Sequence, residues 1–568
     1  MSFSIVCGAL SLIAFGIDLI WLISAKGKLA SLAHPLQFFL LLFLCGIFLL
    51  TSCIGALRYS GAKKRENYLA EHTLLCPTCG KRISTDCAFC PACGKPLDKD
   101  PESTSNMNKV LGQVCSFMRN LDKRAVLAAV REFFNSYVFY IFETIAACLF
   151  VAAGQEVAGA VFFVALICMI LLVCDDILPT TLPFLLISAF TTNLYDSYDL
   201  FIPYIRYAPA AVICLLFHFI RYRQPMKTGE SAYGILAVSV AVMLGGIGRF
   251  SIMDYVRGAY YVLGLGFGML AVYFLMRSQF SVKRNYDLRQ RFSVIMTLLG
   301  LLCAFIIASG YYKRFHNIPT SYALGFSRNN ISTLLMFAMP FPLFLALKRP
   351  WTALLSLVFY GAIAVTTSRG GLLFGTMEVL FCCAYWIFSD GKRILRTVLC
   401  LVSLAIIFLC FRKIILDVIY DRLLAEGAIT GEVRYKMMWE AIEKFKKNPL
   451  VGFGILDQDI AYAADKKKGS MAWYHMMTSQ VVGSMGLVGI AAYLFQFIGR
   501  VKLIFRNFSM WSLCLGVSYL GILLMSQVNP GEFCPLPFEL LTVLLFILQE
   551  RRLENDPLPL KGTRKLSL

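Results

Sequence analysis

The sequence predicts an all-α polytopic membrane protein of about 16 transmembrane helices, with a small cytoplasmic zinc ribbon and a large helical extracytoplasmic loop. Three observations predict it. The 568 residues are 58% apolar with a mean hydropathy of +0.68, whereas soluble domains are roughly half apolar. Apolar runs of about 17 to 24 residues recur along nearly the whole chain, each able to cross a hydrocarbon core of about 30 Å as a helix. They lack the alternating pattern of a membrane β-barrel. The one long polar block in the first quarter of the chain carries two Cys-x-x-Cys pairs.

Taken in order, spans at 3–24 and 36–58 form an N-terminal hairpin within residues 1–60. The first run lacks a basic leading segment and a small-residue cleavage site, and Asp18 sits inside it, which fits a retained helix better than a cleaved signal. The ribbon occupies 61–100 and a cytoplasmic linker 101–135. The membrane domain covers 136–550, with spans near 137–153, 157–174, 178–194, 204–220, 232–250, 258–277, 293–310, 329–347, 350–367, 371–389, 396–412, 475–498, 511–527 and 536–549. Within it, 413–474 is the large outer loop, and 551–568 is a cytoplasmic tail.

The net charge of +20 does not call for nucleic acid, because the basic residues sit mainly in short loops where they orient membrane helices. With the polar block inside, the inner loops of the membrane domain and the tail hold about 21 Lys and Arg, several-fold more than the opposite short loops. Both termini are then on the cytoplasmic side of a plasma membrane. Segments 311–328, 368–371 and 413–474 face outside. Most of the 20 cysteines lie in apolar runs and act as small hydrophobes, so no disulfide framework is expected.

Cys76 and Cys79, then Cys90 and Cys93, form two knuckles, each followed by glycine. Four thiolates complete a tetrahedral Zn2+ site with no open position, so the ion is structural and stands in for a core this short segment cannot build. Cys87 is a spare thiol. Residues 76–97 resemble the zinc ribbons appended to bacterial membrane proteins, which leaves stabilisation and docking of a cytoplasmic protein partner both open.

On the outer side, Arg369 stands at the end of a membrane helix, where a guanidinium is costly unless paired or hydrated. A snorkelling interfacial arginine is the alternative; Gly370 and Gly371, which remove bulk and permit unusual backbone, favour an anion site. His475 lies at the junction of the long loop and the next span, as a general base or a simple polar contact. In the loop, 432–447 predict a helix with Met438, Ala441, Ile442 and Phe445 on one face and Arg434 one turn upstream, ended by Asn448 and Pro449. Asp457 and Asp459 read as solvated loop residues.

Three patterns join these residues. An Asn-containing turn precedes a Pro-containing span at 325–347; Arg369 and Leu373 form R-x-x-x-L; and Arg434 with Met438 and Trp439 is followed by Asn448-Pro-Leu-x-Gly452-x-Gly454. His475 with Gly486 and Gly489 completes a fourth, with Met476 where a polar residue is the rule. In this set the chain resembles the O-antigen ligase and O-antigen polymerase superfamily of bacterial membrane glycan transferases over 291–548. The resemblance implies a polyprenyl-diphosphate-linked glycan donor in the lipid bilayer and an acceptor glycan or anchor. It implies a diphosphate held by Arg369 and Arg434, with Arg328 as a third arginine and Asn329, Gly370, Gly371 and Glu432 lining the substrate. His475 is then the base in an inverting transfer that needs no catalytic metal. Two other classes compete: a transporter or flippase of lipid-linked oligosaccharides, which would show repeats and broken mid-membrane helices, and a membrane sensor or scaffold signalling through the ribbon.

Overall fold

The computed structural model describes residues 73–75, 82–84, 123–193, 208–222, 224, 227–246, 262–280, 286–316, 328–388, 393–417, 420, 433–454, 474, 476–529 and 531–555. The N-terminal hairpin, the four ribbon cysteines, Glu432, Asp457, Asp459 and His475 lie outside the described residues. The chain divides into two compact units, Met1–Phe139 and Tyr140–Leu568.

In the first unit, strands β1 (Thr73–Leu75) and β2 (Arg82–Ser84) pair antiparallel with Leu74 opposite Ile83. Their connection, 76–81, is the stretch that contains Cys76 and Cys79. Helix α1 (Lys123–Phe134) forms within the expected linker. The Phe134 ring at its end meets Phe139 edge to face at 4.9 Å, and both rings are buried, an arrangement aromatic quadrupoles favour.

The described residues of the second unit are mainly helical. Helix α2 (Tyr137–Ala153) runs across the division, and α3 (Glu156–Val173), α4 (Thr181–Asn193), α5 (Ala208–Arg221), α6 (Ser231–Gly246) and α7 (Met269–Phe280) follow. The unit continues with α8 (Leu288–Phe315), α9 (Arg328–Ala338), α10 (Phe341–Ala346), α11 (Leu354–Val365), α12 (Arg369–Phe388) and α13 (Arg393–Asp417). The last are α14 (Val433–Lys447), α15 (Met477–Phe505), α16 (Met510–Met525) and α17 (Leu540–Asn555). Six helices among the described residues are long and apolar enough to cross a membrane: Glu156–Val173, Leu288–Lys313, Arg328–Ala346, Arg369–Phe388, Arg393–Lys413 and Met477–Phe505. Shorter apolar helices stand beside them. The protein is a helical membrane protein.

Local chemistry explains the breaks. Pro340 lacks the amide hydrogen a continuous helix needs and separates α9 from α10. Ser509 caps α16 by accepting from the Ser512 amide at 3.3 Å. Two of the boundaries that differ from the sequence expectation bear on the outer segments. Helix α13 runs on to Asp417, because Ile414, Ile415 and Leu416 continue its apolar pattern past Lys413, so the long loop starts later than 413. Helix α12 starts at Arg369, because Ser368 caps it, so 369–371 are helix and not turn.

The core lies where α8, α9, α11, α12 and α16 pack together, with Met296, Leu334, Phe337, Phe359 and Leu515 fully buried. Outside it, α13 leaves Ile394, Leu401 and Leu409 84%, 61% and 63% exposed. Each would gain about 1.5–3 kcal/mol by leaving water, which hydrocarbon supplies. Two buried arginines of the helical unit are ion-paired: Arg500 of α15 with Glu532 and, at 2.7 Å, with Glu539, and Arg277 of α7 with Glu550 at 3.3 Å. Pairing is what makes a charge tolerable away from water.

Candidate functional site

The starts of α9 and α12 meet across the turn at 366–368. Ser368 Oγ donates to Asn329 Oδ1 at 2.7 Å and accepts from the Gly371 amide at 3.1 Å, so it caps α12 while tying it to α9. Ser332 and Thr366 hydroxyls lie 2.9 Å apart, and Arg328 Nη1 reaches Thr367 Oγ1 at 3.5 Å. Thr367 has φ of +57°, a left-handed conformation that costs a non-glycine residue about 1–3 kcal/mol and persists only when its surroundings impose it. The hydroxyl bonds of Thr366 and Ser368 impose it here.

Gly370 and Gly371 therefore serve differently from the expectation. The unusual backbone falls on Thr367, and both glycines are helical. They are small because neighbours press on them: a Cβ at Gly370 would stand 2.5 Å from Val528 Cγ2, and one at Gly371 2.8 Å from the Ser332 side chain.

Val528 belongs to the segment just after α16, which links the arginine turn to the start of α15. Asn529 Nδ2 donates to Asn330 Oδ1 at 2.7 Å. The Met477 amide donates to Ser526 O at 2.8 Å, and Thr478 Oγ1 to Gln527 Oε1 at 2.5 Å. On the other side of position 475, Tyr474 is buried with Met437 and Ala441 of α14. Its amide donates to Gln480 Oε1 at 3.3 Å and its hydroxyl to Glu440 Oε1 at 3.5 Å. His475 thus stands in the chain between residues fixed to α14 on one side and to the end of α16 on the other.

The loop helix α14 buries Met437 and Ala441 while Met438, Ile442 and Phe445 are half-buried. The buried face is turned by one residue from the predicted stripe, because Ala441 packs on Gly483 and Tyr474, where a Cβ at Gly483 would come within 3.3 Å of Ala441. After α14, residues 449–454 insert into a break in α15. Gly486 has φ +58° and ψ −146°, a region open in practice only to glycine. The freed backbone groups are taken up by the loop: Phe453 N to Gly483 O (3.1 Å), Gly454 N to Ser484 O (3.0 Å), Leu487 N to Pro449 O (2.8 Å) and Val488 N to Leu450 O (3.1 Å). The Asn-Pro-Leu-x-Gly-x-Gly and Gly-x-x-Gly patterns are two halves of one interlock.

The three candidate arginines share a position. Arg328 is the first residue of α9, Arg369 the first of α12 and Arg434 the second of α14, and none of these helices has an acidic residue in its first turn. A helix start carries about half a positive charge, so a cation there is unfavourable and an anion favourable. The sequence reading missed Tyr474, Gln480, Ser526, Gln527 and Asn529. The signal was a polar interruption, 526–532, between two apolar runs.

Residues 351–494 match the family model of the O-antigen ligase. This stretch contains the turn, α12, α14, the interlock and the first part of α15. That stretch is similar to the O-antigen ligase family. Arg328, Asn329, Ser526 and Gln527 lie outside the matched stretch but bond Thr367, Ser368, Met477 and Thr478 within it, whereas Asn330 and Asn529, also outside, bond each other. No curated protein matches the chain. No solved structure matches it.

Proposed function

We propose that the protein is a membrane glycosyltransferase that moves a polyprenyl-diphosphate-linked glycan to an acceptor hydroxyl at the outer membrane face, as a surface polysaccharide polymerase or ligase. The observation that carries this is that Arg328 and Arg369 open the two helices whose starts meet across the 366–368 turn, where Ser368 bonds Asn329 and Arg328 reaches Thr367. A helix start favours an anion, and guanidinium groups bond diphosphate oxygens in pairs. In this reading Arg369 and Arg434 bind the diphosphate and offset the charge that grows on it as it leaves. Arg328 assists, and Asn329 and Glu432 orient substrate.

His475 takes the proton of the acceptor hydroxyl as its oxygen attacks the anomeric carbon. The carbon–oxygen bond to the diphosphate breaks on the opposite side, so the configuration inverts in one displacement and no glycosyl-enzyme forms. The bonds that fix Tyr474 and Met477 on either side of the histidine support a positioned base. The further topology proposed is about 16 spans in the plasma membrane, with both termini cytoplasmic. A structural Zn2+ held by Cys76, Cys79, Cys90 and Cys93 is part of the same proposal. The β1–β2 pairing on either side of the first knuckle supports a ribbon there.

A transporter would use a broken helix such as α15 to expose backbone to its cargo. Here the break is filled by residues 449–454 of the same chain, which favours transfer. The test is reconstitution with a polyprenyl-diphosphate glycan and candidate acceptors. Wild type forms a new glycosidic bond, and His475→Ala and Arg369→Ala each lose it. Full activity in both variants contradicts the mechanism, and movement of the lipid across vesicles without any new bond establishes the transporter instead.

A further inference from the structure

Beside the arginines lies a group of polar side chains that carry no charge. Asn330 in the first turn of α9 and Asn529 just past α16 are joined at 2.7 Å, Asn529 Nδ2 donating to Asn330 Oδ1. Among the described residues Asn330 Nδ2 and Asn529 Oδ1 have no partner, so the pair presents a donor group and an acceptor in a fixed relation. Thr478 and Gln527 make a second pair at 2.5 Å, and Thr478 is exposed. None of the four bonds a charged side chain among the described residues. Val528, between Gln527 and Asn529, packs on Gly370, the neighbour of Arg369.

The chemistry of this shelf is specific. Carboxyamide and hydroxyl groups that offer both donor and acceptor match sugar hydroxyls, each of which also donates and accepts. A phosphate is better served by the adjacent arginines, and a hard cation needs carboxylates. Because Asn330 of α9 and Asn529 of the segment after α16 hold each other, little ordering is left for the ligand to impose.

We propose that Asn330 and Asn529, with Gln527 and Thr478 beside them, bind hydroxyls of the first sugar of the donor, the one joined directly to the diphosphate. The inference rests on the diphosphate reading above and adds to it a neutral sugar subsite contributed largely from outside the ligase-family stretch. The shelf belongs to the donor because it adjoins Arg369, and the first sugar is one bond from the diphosphate that Arg369 holds.

The experiment measures binding of two probes to the full chain in lipid nanodiscs: bare polyprenyl diphosphate, and polyprenyl diphosphate bearing one hexose or N-acetylhexosamine. Wild type binds at least one sugar-bearing probe more tightly than the bare lipid. Asn330→Ala and Asn529→Ala each weaken the sugar-bearing probe about five- to tenfold and the bare lipid less than about twofold. Retained bare-lipid binding also reports that each variant is folded. Arg369→Ala weakens both probes. Equal affinity of wild type and both asparagine variants for the sugar-bearing probe overturns the subsite, as does a matching loss for both probes. If wild type binds the bare lipid but prefers no sugar-bearing probe, the subsite fails and the diphosphate site stands. If wild type binds neither, both fail.

Discussion

Replacing Gly486 by alanine opens the interlock between the long loop and α15. The added Cβ would stand 2.4 Å from Pro449 O and 2.9 Å from Gly452 N, and alanine at φ +58°, ψ −146° is strained by about 1–3 kcal/mol. Relief requires residues 449–454 to withdraw, and with them go the four backbone bonds from Phe453, Gly454, Leu487 and Val488. At about 0.5–1.5 kcal/mol each, these add roughly 2–6 kcal/mol to what holds the loop in place. Because the clash bears on the loop and not on the core, the loss is local. Hydrogen exchange at those four amides therefore accelerates by at least about two orders of magnitude, which corresponds to roughly 3 kcal/mol of lost protection. Gly499→Ala on the same helix is the control, since nothing lies within 4 Å of its added Cβ. If Gly486→Ala kept the same exchange rates as Gly499→Ala, the interlock would not hold the loop, and the account of the two glycine patterns would be wrong.

Arg500→Leu leaves Glu532 and Glu539 buried without their common partner and lowers stability by about 3–5 kcal/mol, read by thermal unfolding in detergent; an unchanged midpoint contradicts the pairing. Thr367→Gly removes the left-handed strain at φ +57° and raises stability by about 1 kcal/mol, seen as a higher midpoint in the same measurement. Gly370→Leu forces the segment at Val528 away from α12, costs about 1–3 kcal/mol and reduces diphosphate binding, checked by titration with the bare lipid. Purified protein carries zinc, measured by elemental analysis, and Cys76→Ser or Cys93→Ser lowers its content; a metal-free wild type purified without chelator contradicts the ribbon.

The six long apolar helices were legible because length and apolarity suffice to mark them, and the stretch from α11 to α15 also announced itself through motif order. What could not be read was the reason for those motifs. Gly452, Gly454 and Gly486 look like separate turn glycines in sequence, since the requirement that links them is a contact across some thirty residues. Gly370 and Gly371 suggested an unusual backbone because a glycine pair beside an arginine does so locally. The packing of Val528, more than 150 residues later, keeps Gly370 small, and Ser332 keeps Gly371 so. The buried face of α14 was off by one residue for the same reason: helical periodicity sets a stripe, but Gly483 and Tyr474 decide which side of it is covered. Asn529 and Ser526 were invisible as site residues, because a short polar interruption between two spans reads as an ordinary loop until its bonds to Asn330 and Met477 are known.

Single-displacement transfer has a direct signature in its product. The wild-type protein, given a lipid-linked glycan of known anomeric configuration and a competent acceptor, is expected to make a new linkage of the opposite configuration, as determined by NMR of the isolated product, with polyprenyl diphosphate released alongside it. A new linkage of retained configuration, or lipid-linked glycan left unconsumed with every acceptor class, would contradict the account.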